Sequence, residues 1–166
     1  MGIKGKIAFA LKMPKVARPL LQSIYRELMN IIILTSENDD EINEKIMDVG
    51  KNLAETLFMD YADRISKHAD TFTELSETLG LAYKVNTGQE FTDISVIEDS
   101  KEIRFVDDNC ILCEGVDVRG NNIMYCNIVA GVFDAVLNLK DINGISYQET
   151  CKASGDHTCT WVVKGR

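Results

Sequence analysis

The residues best equipped for chemistry in this sequence are its five cysteines, Cys110, Cys113, Cys126, Cys151 and Cys159. Cys110 and Cys113 stand two residues apart, a spacing that suits zinc ligation or thiol–disulfide exchange. No strand-to-helix pattern of a thioredoxin-like site surrounds them. The pair can join a metal, act as an oxidisable couple, or consist of ordinary loop cysteines. The other three lie in a stretch that reads as a helix followed by a hairpin.

The helix is expected over residues 123–139, with Asn121 and Asn122 as candidate caps. Cys126, Val129, Ala130, Phe133, Val136 and Leu137 recur at three- and four-residue steps, so Cys126 falls on the apolar face. Residues 144–151 read as a strand in which Ile145, Tyr147, Glu149 and Cys151 share one face. A Ser154-Gly155-Asp156 turn leads into a returning strand that sets Cys159, Trp161 and Val163 on one side. If helix and hairpin pack together, Cys126, Glu149, Cys151 and Cys159 converge on an acceptable tetrahedral zinc set. Two plainer outcomes compete: thiols buried as small hydrophobes, or a Cys151–Cys159 disulfide stapling the hairpin.

The run from Glu149 to Val163, preceded by a helix with Cys126 and Ala130-Gly131-Val132, resembles the vinyl-4-reductase domain family. Such domains occur as archaeal stand-alone proteins, in sensor modules of aromatic-responsive activators and in bacteriochlorophyll-pathway proteins. Their fold is shared with TRAPP vesicle-tethering subunits and haem-based nitric-oxide sensors. The resemblance implies zinc held by a helix Cys, a strand Glu and two hairpin Cys, here Cys126, Glu149, Cys151 and Cys159. Glu149 stands one residue closer to Cys151 than in the activators' pattern, where Gln148 holds the matching place. His157, Cys110 and Cys113 are the substitutes for that ligand.

Composition bounds the rest. With 166 residues, 45% hydrophobic and 27% charged, the chain suits one globular domain. A net charge of −8 argues against general nucleic-acid binding. An odd number of cysteines without a secretory signal suggests reduced thiols in the cytoplasm. Residues 1–18 form a basic arm with Lys4, Lys6, Lys12, Lys15 and Arg18, whose apolar run is too short for a membrane span. Residues 19–166 form the domain.

Pro19 opens a helix in which Leu20, Leu21, Ile24, Leu28, Ile31 and Ile32 are apolar over more than half the circumference, as expected of a central or dimer-forming helix. A second follows, with Ile42, Ile46, Val49, Leu53, Leu57, Tyr61 and Ile65 in one stripe and His68 at its end. Thr71 and Glu74 fit a capping box for a short third helix that Gly80 stops. Residues 81–85, 91–97 and 103–106 read as strands. The expected fold is α+β: a single domain with N-terminal helices packed on a four- or five-stranded antiparallel sheet, ending in a helix and hairpin.

A phosphate loop, a dinucleotide fingerprint and a zinc-protease motif are all missing. His157 has no evident nucleophile beside it, and Asp39-Asp40 and Asp107-Asp108 read as caps and turns. No catalytic residue stands out. The function expected is therefore a zinc-stabilised module for a small hydrophobic or aromatic ligand, acting as a homodimer. Its pocket would draw on Phe91, Ile94, Ile103, Phe105, Phe133, Tyr147 and Trp161. Two alternatives belong to other classes: a reductase of a vinyl or tetrapyrrole-like substrate, and a ligand-free dimeric assembly protein.

Overall fold

Helix formation is legible wherever a cap precedes an apolar stripe. The computed structural model describes residues 18–58 and 70–166. Helix α1 (Arg18–Leu34) starts beside Pro19, and α2 (Asp39–Phe58) is opened by Asn38, whose side chain accepts from the Glu41 amide at 3.0 Å. Tyr61, Ile65, His68 and residues 1–17 of the basic arm lie outside the described residues. Helix α3 (Phe72–Thr87) carries the expected capping box between Thr71 and Glu74.

Helix α3 does not stop at Gly80. It runs to Gly88, whose left-handed φ of 75° closes it. The strand expected over 81–85 is therefore helical, because Leu75, Leu79, Ala82 and Tyr83 form one buried stripe at helical spacing. Gly80 is accommodated where a Cβ would stand 3.0 Å from the Ile94 side chain.

Four strands form one antiparallel sheet in the order β1-β2-β4-β3: β1 (Asp93–Ile97), β2 (Glu102–Asp107), β3 (Gly144–Thr150) and β4 (Cys159–Gly165). Ile103 and Phe105 of β2 and Trp161 and Val163 of β4 face inward and are fully buried. Helix α4 (Asn127–Leu139) lies between this inner face and α2, which is why it is apolar nearly all round. Gly50 and Gly131 meet at the α2–α4 crossing, and a Cβ on Gly131 would fall 2.0 Å from the Met47 carbonyl oxygen. The architecture is a single α+β domain with N-terminal helices and a C-terminal hairpin. No helix among the described residues is long and apolar enough to cross a membrane.

Helix α4 begins four residues later than its periodicity predicts. Residues 123 and 124 are irregular, 125 and 126 form a turn, and Cys126 occupies the N-cap without a capping hydrogen bond. Asn121 and Asn122 do not cap it. The Asn122 amide instead donates to Asp39 at 2.8 Å and its carbonyl accepts from Asn43, tying the loop to the start of α2.

Candidate metal centre

Three separate segments deliver sulfur to one spot. Cys110 and Cys113 sit on a turn after β2, closed by the Cys113 amide donating to the Cys110 carbonyl at 3.1 Å. Cys126 comes from the N-cap of α4 and Cys159 from the first residue of β4. These four sulfurs all lie within 4.8 Å of one another, and every one belongs to a buried residue. Cys113 is the hub, 2.9 Å from Cys126 and 3.5 Å from Cys159. Cys151 approaches Cys113 at 3.8 Å but stands outside the set of four. All five cysteines are free, so the Cys151–Cys159 staple does not form.

Glu149 is not brought to this cluster. Pairing of β3 with β4 runs in step from Gly144 to Gln148 opposite Trp161, then slips so that Thr150 faces Thr160. Glu149 is the extra residue of this bulge. It is exposed and its carboxylate receives the Arg104 guanidinium on the outer face, alongside Ile145 and Tyr147. Strict alternation would have left Cys151 on that outer face as well; the bulge turns it inward to complete burial. His157 is exposed in the turn and also lies away from the sulfurs. Gln148 occupies the inner face, with its amide oxygen lacking a hydrogen-bond partner among the described residues.

Burial makes the thiols unequal. Desolvation pushes the Cys126 thiol well up, whereas sulfur–hydrogen bonding from Cys113 pulls Cys110 and Cys151 down. Sulfurs this close together suit a soft cation once deprotonated. Thiolates around a tetrahedral zinc at a bond length of about 2.3 Å would sit roughly 3.8 Å apart, so the pairs at 2.9 and 3.5 Å would open by less than about 1 Å. The donor set thus fits a metal without large movement.

The surroundings fix these ligands. Trp161 Nε1 donates to the Cys126 carbonyl at 3.1 Å, and the Lys152 amide points at Cys159 Sγ at 3.4 Å. Asp107, read from sequence as a turn residue, is instead fully buried at the end of β2. It accepts from Tyr83 Oη at 2.6 Å, Gln89 Nε2 at 3.0 Å and the Asn109 amide at 2.8 Å. Burial, partly offset by those donors, raises its pKa from the ordinary aspartate value. Its one sequence signal was its inward parity with Ile103 and Phe105.

The seven residues expected to line a pocket do not form a single lining. Phe105, Phe133, Trp161 and Ile103 are buried, and the three aromatic rings pack together through Phe91. Tyr147 is exposed on the outer face. Phe91 and Ile94 instead border a shallow hollow of about 300 Å³ between α3 and β1, together with Gly80, Leu81 and Lys84.

No family model matches the sequence, and no curated protein matches it. Solved structures share its fold. A trafficking protein particle complex subunit 3 from Naegleria fowleri, covalently bound to palmitic acid, superposes with a TM-score of 0.80 at 20% identity, over 90% of this chain and 95% of that one. The phenol-responsive sensory domain of the activator PoxR, with phenol, gives 0.59 at 14% identity over 92% and 76%. An H-NOX protein from S. oneidensis in its Fe(II)NO state gives 0.56 at 15% over 91% and 77%. The fold is therefore one used both by small-molecule sensor domains and by a subunit of an assembled complex.

Proposed function

We propose that this chain is a vinyl-4-reductase-type binding module, in which a closed zinc centre ties the last helix to the hairpin beside a site for a small apolar or aromatic molecule. The observation that carries the reading is the meeting of four buried sulfurs from three segments. Cys110, Cys113, Cys126 and Cys159 would hold the ion, with Cys151 adjoining. When bound, it supplies a structural cross-link, since four protein ligands leave no open position for a reacting water. Sulfur-only donors also favour zinc over hard cations.

Elemental analysis tests the centre. The wild type is expected to carry one zinc per chain and a Cys126→Ser/Cys159→Ser variant none; equal content in both overturns the assignment. For the ligand, support comes from the hollow at Phe91 and Ile94, whose volume reaches the lower end of the range for ligand sites. Phenol and palmitate are suitable probes. Native mass spectrometry should show one retained by the wild type and lost from Phe91→Ala.

A second reading, a dimeric assembly protein, is favoured by one observation. The outer side of α1 leaves Leu20, Ile24, Ile31 and Leu34 exposed at 54%, 56%, 59% and 84%. Such a stripe fits a self-association surface. A homodimer that takes neither probe would select this reading over the sensor.

A further inference from the structure

Helix α1 has two faces with different employment. One carries the exposed apolar stripe. The other rests on the irregular loop that supplies Cys110, Cys113 and Cys126, and its contacts fall beside those cysteines. Gln22 Nε2 donates to the Ile111 carbonyl at 3.1 Å and to the Glu114 carboxylate at 2.6 Å. Arg18 reaches the same carboxylate at 2.9 Å, and Arg26 donates to the Glu114 carbonyl. Tyr25, buried, donates its hydroxyl to the carbonyl of Tyr125, the residue before Cys126, and meets that ring edge-on at 5.4 Å.

The second half of α1 is anchored differently. Met29 and Ile32 are buried in the common core and, being apolar, take no part in these hydrogen bonds. The first half therefore rests on a loop that has no regular secondary structure of its own between β2 and α4. Short turns hold that loop, with ties to Asn43 and Ser154, and the sulfur cluster lies at its two ends.

We infer that the state of the cysteine cluster governs the seating of the first half of α1, with Gln22, Tyr25 and Arg26 as the residues that transmit it. This rests on the metal reading above. With the ion bound, the loop is cross-linked from Cys110 to Cys126 and presents fixed carbonyls at residues 111, 114 and 125. Without it, the loop loses that cross-link and keeps its turns and its ties to Asp39, Asn43, Ala153 and Ser154, all of which lie in its second half, so the carbonyls at 111 and 114 are the least fixed partners of the polar clamp. Residues 18–27 then fray while Met29 and Ile32 stay docked. The centre is in this way an input, and the position of the apolar stripe its output.

Hydrogen exchange on the full chain tests this, comparing zinc-loaded protein with the same protein after chelation. Exchange over residues 18–27 should quicken roughly tenfold or more on zinc removal, while α3 keeps its protection. Unchanged exchange at 18–27, with elemental analysis confirming that zinc was bound and then removed, overturns the inference and leaves the metal centre standing. An equal rise in α3 also overturns it, because the change is then general unfolding. Gln22→Ala/Arg26→Ala should retain one zinc per chain yet exchange quickly at 18–27 in both states; metal-dependent exchange in that variant sinks the transmission route. Should elemental analysis find no zinc at the outset, the centre itself falls and this inference with it.

Discussion

Cys113 Sγ lies 2.9 Å from Cys126 Sγ, so a loop thiol and a helix-cap thiol thirteen residues apart share one buried contact. Each close sulfur pairing in the cluster includes Cys113 or Cys126. Cys113→Ser and Cys126→Ser are each expected to lower bound zinc by tenfold or more, roughly the loss seen when a metal site is disturbed. Glu149→Gln should leave metal content unchanged. It breaks a partly exposed pair with Arg104, a contact of a kind that contributes at most about 1 kcal/mol. Elemental analysis and urea titration read the two effects separately.

The α2–α4 crossing predicts a sharp contrast between glycines. Gly131→Ala places a Cβ 2.0 Å from the Met47 carbonyl, with backbone on both sides. A loss of about 3 kcal/mol is expected, at the upper end of overpacking costs. Gly88→Ala meets nothing within 4 Å and suffers only from its positive φ, so about 1 kcal/mol is expected. Chemical denaturation of both variants measures the difference.

Asp107 gives a pH signature with a definite sign. Its folded pKa is raised by burial, so the native state holds the proton to higher pH than the unfolded chain does. Its contribution to stability is full below the ordinary carboxylate value and is lost as pH climbs through the raised one. The stability of the wild type relative to Asp107→Asn should accordingly fall as pH rises from about 4 toward neutrality. A difference that grows in the opposite direction contradicts the assignment.

Ile24→Glu/Ile31→Glu places two charges on the exposed side of α1 without touching Tyr25 or Met29. Light scattering should show a dimer for the wild type and a monomer for the variant, with zinc content equal. A dimer surviving both charges moves the interface elsewhere.

Much of the architecture could be read from the chain. The cap at Thr71, the hairpin and the inward run of Cys159, Trp161 and Val163 all follow from local chemistry. Of the convergence expected, Cys126 and Cys159 do meet, while Cys110 and Cys113, whose joining was one of three options, stand in the set of four where Glu149 and Cys151 were expected. What escaped was non-local. The helix through Gly80 is decided by β1 packing against it, and the late start of α4 by ties from the loop to Asn43 and Ser154. Parity correctly grouped Glu149 with Ile145 and Tyr147 but wrongly kept Cys151 with them, because a bulge shifts the later residues by one and no side-chain pattern in β3 announces it.

That bulge also bears on how copies of the molecule avoid each other. Strand β3 is one margin of the sheet, with Ile145 and Tyr147 exposed along it, the kind of rim onto which a foreign strand can zip. The bulge at Glu149 breaks the regular backbone at the far end of that rim. The irregularity that keeps the carboxylate apart from the sulfurs thus also interrupts the strand onto which another chain would pair.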